Sequence, residues 1–469
     1  MVSPKTCLRW LGVWLDSKLS FKEHVKIKVA AAQRSLALIR QLANTEKGLS
    51  AAGMRQLYQA CVVSVADFGS EVWWKGQVHL ANKLQLLQNS ATRSILGAFR
   101  TSPTTALDAE AGLLPANLRL NYNQTRLAAR ILRLPNTHLL VRRLPDSVPK
   151  DGASIAEELI GGCPWDRMEN RNAKYTTSLI RVLARLNRWL ERNTILEQQG
   201  DYIPMSTTQS LTITILETPK DRATLEHKAL LRTINLQTSI VAYTDGSLLE
   251  TKAGAGIYIY GNGLSIKLAA LVGEQCEVFD AELSAMHLAL MRITKEISYT
   301  SKRTRQIWLF SDSQAAIQRL QHNRPGAGHQ MATAIHQTIS ELYDMYHIHT
   351  RINWVPGHTD VEGNEIADSL AKAGSQLQQR TATPTSLAWL HRQIKANRLD
   401  QWEEQWKTAR KGASYKGEPR LKLDNTIIPL RKFDSSTIVQ LRTGHGYFNS
   451  YLATKSTTRK KIPSTRCNC

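Results

Sequence analysis

At residue 239 the hydrophobic pattern of the chain changes its period, and from there to about residue 376 strands and helices alternate. SIVAYTD (239–245) is a short β-rich run. GAGIYIYGNGLSIKLAALV (254–272) reads as two strands around a Gly-Asn-Gly turn, a hairpin signal. VFDAELSAMHLALMRITKEI (278–297) carries apolar residues at helical spacing. A strand follows at RQIWLFSD (305–312), then helices at 313–321 and 329–346, and a last strand at HTRINWVP (349–356). GNEIADSLAKAG (363–374) closes the stretch as a helix, with Gly374 placed as its C-cap. The order βββαβααβα predicts an α/β fold, a mixed five-stranded sheet with flanking helices.

The rest of the chain lacks that alternation. Residues 22–134 show apolar residues at three- and four-residue steps, as does KYTTSLIRVLARLNRWLERN near 174–193. PDSVPKDG and GGCPW mark a linker within 145–170, and a second break falls near 200–208. The expected organisation is a helical region over 1–145, a linker and helical connection over 146–238, the α/β domain over 239–376, and a basic, helical C-terminal region over 377–469. No stretch approaches the roughly 18 apolar residues that a membrane helix needs, and the N-terminus lacks the apolar core of a signal peptide. No membrane partner is expected. Six scattered cysteines, Cys7, Cys61, Cys163, Cys276, Cys467 and Cys469, suit a reducing, intracellular compartment (nucleus or cytoplasm) better than a disulfide framework.

The net charge of +22 is unevenly shared. Residues 1–238 hold 32 Lys/Arg against 19 Asp/Glu, and residues 376–469 hold 18 against 6. Residues 239–375 hold 11 against 14 and are slightly acidic. Basic flanks favour a polyanion such as nucleic acid, and solvated Lys/Arg faces are the bland alternative.

Within the acidic segment the placement of four carboxylates is specific. Asp245 and Asp312 each end a predicted strand, and ligand sites of open α/β sheets lie outside such carboxyl ends. Glu282 lies on the same helical face as Ala285, Met286, Ala289 and Ile293, which should pack on the sheet. A buried, unpaired carboxylate is costly, and a cation would remove that cost. Asp368 lies early in the last helix, after the loop WVPGHTDVEGNE. Four converging acids without a matching Lys or Arg repel one another unless metal fills the gap. Oxygen-only ligands favour Mg²⁺, with Mn²⁺ as substitute, and two such ions can clamp the attacking water and leaving oxygen of a phosphodiester. No small-molecule cofactor is expected.

YTDGS (243–247), DAELSAMHLAL (280–290), FSDSQAAI (310–317) and WVPGHTDVEGNEIADSLAKAG (354–374) resemble the type I ribonuclease H domain of fungal non-LTR (LINE-like) retrotransposons. The resemblance implies a ribonuclease H-like fold and a metal-dependent endonuclease that cuts the RNA strand of RNA–DNA hybrids, leaving 5′-phosphomonoesters. It also implies that Asp245, Glu282, Asp312 and Asp368 hold two metal ions and that His358, ten residues before Asp368, is the mobile-loop histidine. An imidazole at that place would suit proton transfer or product release. Gly246, Ser247, Ser313, Gln314 and Asn364 match substrate-binding positions that read the hybrid through its 2′-hydroxyls and backbone. The alternative function is a catalytically silent, nucleic-acid-binding remnant of a retroelement polyprotein.

The flanks extend the resemblance. LRWLGVWLDSKLSFKEHV (8–25), ADFGSEVWW (66–74) and QNSATRSILGAFRTSP (88–103) resemble the tail of a non-LTR reverse transcriptase. No Tyr-x-Asp-Asp-like polymerase motif is present, so polymerase activity is not expected. LRTGHGYFNSYLATK (441–455) resembles the stretch that precedes a Cys/His knuckle, but Cys467 and Cys469 alone cannot complete a four-ligand zinc site. Trp389, Trp402 and Trp406 read as core or interface residues.

Overall fold

In the computed structural model the described residues are 6–44, 48–134, 138–142, 210–215, 217–299, 304–322, 326–378, 385–412, 415–448 and 451. The expected helix at 174–193, the linker at 145–170, the break near 200–208 and Cys163, Cys467 and Cys469 lie outside them. The chain divides into two compact units. One comprises Met1–Ala128, Met168–Leu183 and Ile394–Cys469, and so draws on both ends of the sequence. The other comprises Ala129–Arg167 and Ala184–Gln393.

The first unit begins with an antiparallel hairpin, β1 (Cys7–Trp10) and β2 (Val13–Asp16). Helices follow, among them α1 (Lys22–Arg40), α2 (Val78–Leu96), α3 (Thr104–Glu110) and α4 (Ala116–Leu132), whose last turn lies beyond this unit. Their apolar residues close a core in which Trp73, Leu84, Ile95 and Leu107 meet Leu423, Ile427 and Val439 from the far end of the chain. Trp402 and Trp406 are buried with Tyr415 against Ala106 and Leu118. Parts of the expected 1–145 and 377–469 regions thus share one core, a pairing that leaves no trace in local periodicity.

The second unit is built on a sheet of β3 (Leu211–Thr214), β4 (Ser239–Leu249), β5 (Lys252–Gly261), β6 (Leu264–Gly273), β7 (Gln306–Ser311) and β8 (His349–Trp354). The strand order is β3-β8-β7-β4-β5-β6. Strands β3, β8, β7 and β4 run parallel, and β4, β5 and β6 form an antiparallel meander. The predicted mixed sheet with flanking helices is present, but it has six strands rather than five. The extra edge strand LTIT is four residues long, too short for a readable alternation. The β5–β6 turn is the expected one, with Asn262 and Gly263 both at positive φ.

Helices α5 (Lys220–Thr233), α6 (Val278–Tyr299), α7 (Gln314–Leu320), α8 (His329–Tyr346) and α9 (Glu362–Ser375) cover the sheet. The period-2 alternation of the strands sorts the two faces. Ala242, Ile257, Ile307 and Leu309 meet Ala285, Met286 and Ala289 of α6, whereas Val241, Tyr243 and Phe310 meet Ala367 of α9. Helix α9 lies directly on backbone: a Cβ at Gly256 would come within 2.0 Å of the Ala367 carbonyl, and one at Gly374 within 2.5 Å of the Ala270 carbonyl. Gly374 is therefore a packing residue inside the helix, and the C-cap is Gln376, contrary to the sequence expectation.

Candidate metal and nuclease site

The site forms where β4 parts from β7. Their parallel register runs from Ser239 opposite Gln306 to Tyr243 opposite Phe310. Carried two residues further, it sets Asp245 level with Asp312. Asp312 does follow the end of its strand, but Asp245 does not end β4. That strand runs on to Leu249 against β5, so Asp245 marks only the end of the parallel pairing. The alternation ceases to be apolar at Asp245 because its side chain faces the other acids, and this reads as a strand end.

Helix α6 brings in the third acid. Glu282 is buried on the same face as Ala285, Met286, Ala289 and Ile293, as its spacing predicts. Its backbone reaches the strand only because residue 246 is glycine. A Cβ there would meet the Glu282 nitrogen at 2.4 Å. Oxygens of Asp245, Glu282 and Asp312 lie within 4.8 Å of one another. The Gly246 amide lies beside the Asp245 and Glu282 carboxylates, and Ser311 beside Glu282; both favour the charged forms. Glu282 Oε2 is nevertheless buried without a hydrogen-bond partner. Burial, then the charges of Asp312 and Asp368, push the Asp245 carboxyl up to about 7. Burial, then Asp245 and Asp312, push Glu282 well above the usual carboxylate range. Burial and like charge act in the same direction here, which is the electrostatic state that a divalent cation relieves.

The fourth acid sits differently. Asp368 groups with His358 and Glu365 rather than with the other three, although its charge reaches Asp245. It accepts a hydrogen bond from Lys372 Nζ at 2.6 Å, one turn along α9. The expectation of acids without a nearby cation therefore fails at this residue. The signal was available, since Asp and Lys at i and i+4 on one helix face meet. Glu365, three residues before Asp368, is the acid that the sequence reading passed over.

His358 is exposed, at φ 58°, in the turn between β8 and α9. Asn364 is buried and donates through Nδ2 to Asp312 Oδ2 at 3.3 Å. Ser313 caps α7 by accepting from the Ala316 amide at 3.4 Å. Ser247 is half-buried and Gln314 is exposed at the start of α7. Gly246, Ser313 and Asn364 thus each have a structural task at the acid cluster.

Residues 237–376 match the RNase H family model, so this part of the chain carries an RNase H domain. Over 141 residues the chain is 26% identical to a probable RNA-directed DNA polymerase from transposon BS of Drosophila melanogaster; the match covers 30% of this chain and 15% of that protein. Over 188 residues it is 22% identical to a retrovirus-related Pol polyprotein from the type-1 retrotransposable element R1 4 of Nasonia vitripennis, covering 39% of this chain and 48% of that one. The chain thus spans less than half the length of these relatives. Among solved structures it is similar to RNase H1 of Halobacterium salinarum, 22% identical over 29% of this chain and 96% of that one, with a TM-score of 0.23. It is also similar to LC11-RNase H1 in complex with an RNA/DNA hybrid, 17% identical over 29% of this chain and 97% of that one, with a TM-score of 0.24.

Proposed function

We propose that the second unit hydrolyses the RNA strand of RNA–DNA hybrids in a divalent-metal-dependent reaction, as part of a retrotransposon polyprotein. The observation that carries this reading is the cluster of buried Asp245 and Glu282 with half-buried Asp312, with Glu282 Oε2 left without a partner. A hard cation fits an all-oxygen donor set of this kind, and the RNase H family match agrees with it. Asp245, Glu282, Asp312 and Asp368 would hold two Mg²⁺ ions, with Mn²⁺ as substitute. When bound, such ions lower the pKa of water and neutralise charge on a phosphodiester.

The chain's own groups do the rest. The Gly246 amide and Ser311 hold the Glu282 carboxylate in place, and Asn364 holds Asp312. His358, exposed on its turn, takes up or delivers a proton at the leaving group and helps product depart. Ser247, Gln314 and the backbone around Gly246 face the hybrid strands. The first unit, with the resemblances at 8–25, 66–74 and 88–103, is read as the tail of a reverse transcriptase whose basic surface binds nucleic acid.

One observation favours a second reading. Lys372 already pairs with Asp368, so a catalytically silent, nucleic-acid-binding remnant is the competing assignment. Incubating the full chain with hybrid, DNA duplex and RNA duplex, each in Mg²⁺ and in EDTA, separates the two. The nuclease reading expects cleavage of the hybrid alone, in Mg²⁺ alone, with 5′-phosphate products. Binding without cleavage in either condition replaces it with the silent remnant.

A further inference from the structure

We infer that the seam between α4 and the helix Leu387–Thr408 is a nucleic-acid contact, with a backbone phosphate bound by Arg126 and Arg398, the two guanidinium groups that pack on the ring of Tyr122. Several arginines of this unit have an acid beside them. Arg119 is ion-paired with Asp67, and Arg442 with Glu110 and Asp424. Arg126 and Arg398 make no ion pair with any described residue, yet both guanidinium groups are drawn to one aromatic ring. Their Cζ atoms lie 5.7 Å and 4.7 Å from the Tyr122 centroid. Arg398 Nε is buried and has no hydrogen-bond partner.

Two like charges on one ring repel, and the ring's negative face offsets only part of that cost. An anion between them removes it. The sequence keeps acids away from the spot. Helix α4 contains no Asp or Glu, and the other helix has none before Asp400. Contacts of Asn117 with Gln405 and of Tyr122 with Arg398 show that the helices run antiparallel. That register sets the exposed Lys395 level with Arg126, which lengthens the basic track.

Guanidinium is planar, stacks on aromatics and forks onto phosphate oxygens. A nucleic-acid strand matches the fork and the plane: its phosphates take the guanidinium N–H groups, and its bases have faces that stack on the outer guanidinium planes. An acidic protein segment would answer the charge but offer nothing to stack. The inference rests on the nucleic-acid reading above for the kind of ligand, not for its chemistry of cleavage.

The test is binding of a labelled RNA–DNA hybrid to the full chain in EDTA at several salt concentrations. Each neutralised phosphate contributes about 0.9 to the slope of log K against log salt. Arg126→Gln/Arg398→Gln should flatten the slope by about 1, the count of one phosphate. Lys18→Gln/Lys83→Gln, which removes the same charge elsewhere on this unit, should flatten it by less. Equal flattening in the two double variants means that net charge alone acts, and the inference falls. Arg126→Lys/Arg398→Lys guards against misfolding: it should keep the slope but weaken binding several-fold, and wild-type affinity would overturn the assigned geometry. Tighter competition by polyglutamate than by single-stranded RNA would also overturn it, in favour of an acidic protein. Cleavage by the wild-type chain in Mg²⁺ is scored separately, so either reading can fail alone.

Discussion

Both units bury carboxylates, and they treat them in opposite ways. In the first unit Asp67 takes two hydrogen bonds from Arg119, at 2.6 and 3.0 Å. Asp108 accepts from Gln85 and Gln88, and Glu110 from Tyr415 and Arg442. In the second unit Asp245, Glu282 and Asp312 face one another, and Glu282 keeps a bare oxygen. Protonation does not distinguish the two cases, because Asp108 and Asp245 are both pushed up to about 7. The causes do. Burial raises Asp108 while its hydrogen bonds and Arg119 oppose the rise, whereas burial and two neighbouring carboxylates raise Asp245 together. A buried acid surrounded by donors holds a fold together. A buried acid surrounded by acids carries a repulsion that a cation would relieve.

The contrast can be broken most severely at Asp245. Asp245→Asn should lower hybrid cleavage at least ~1000-fold, the equivalent of ~4 kcal/mol. The same change removes like-charge repulsion, so the melting temperature in EDTA should hold or rise. A variant that turns over at the wild-type rate ends the metal assignment. The opposite pattern is expected across the divide. Asp67→Ala leaves the largely buried Arg119 guanidinium without its ion-pair partner and should cost ~3 kcal/mol in denaturant unfolding of the first unit. Its saturated cleavage rate should stay at the wild-type value, and a parallel loss of turnover would mean that the paired acids also serve catalysis.

A third expectation uses pH and metal together. Folded Asp245 and Glu282 hold protons that the unfolded chain releases near pH 4, so metal-free stability should fall as pH rises from about 4 to 7. Asp108 adds a fall of the same sign in the first unit. Mg²⁺ at 100 times its Kd should restore ~2–3 kcal/mol to the second unit at pH 8 and little at pH 5, and should leave the first unit unchanged. Thermal melts in EDTA and in Mg²⁺ at both pH values measure this; equal Mg²⁺ effects at pH 5 and 8 would sink it. The smallest effect is reserved for the one paired acid. Lys372→Gln frees Asp368, and because that lysine is largely exposed, stability should change by less than ~1 kcal/mol. Metal affinity should rise modestly by calorimetry, and an unchanged or weaker affinity would mean that the ion pair does not compete with the cation.

Much of the second unit was legible in the sequence because its signals are local. The Asn262–Gly263 turn, the helical face shared by Glu282 and Ile293, and Asp312 after an apolar strand each lie within one short window. What escaped was set by partners elsewhere. Strand β3 is recognisable only beside β8, and β4 continues past Asp245 only because β5 pairs with it. Gly374 suggested a cap, since the carbonyl it must clear belongs to Ala270, about a hundred residues earlier. The first unit's shared core was invisible for the same reason: Arg442 reaches Glu110 and Asp424 only in the folded chain. Lys372 and Glu365 are different: they lie at i+4 and i−3 of Asp368, a spacing that the local sequence carries.

Helix α9 resting on bare backbone has an evolutionary reading. Where side chains separate a helix from a sheet, each change of core volume moves the helix. Here Gly256 and Gly374 reduce that spacer to main-chain atoms, whose dimensions are the same in every protein. The carboxylate that α9 carries is held at a distance that no apolar substitution resets. Apolar positions elsewhere in the core can change without moving the helix, so the constraint falls on residues with no side chain to vary.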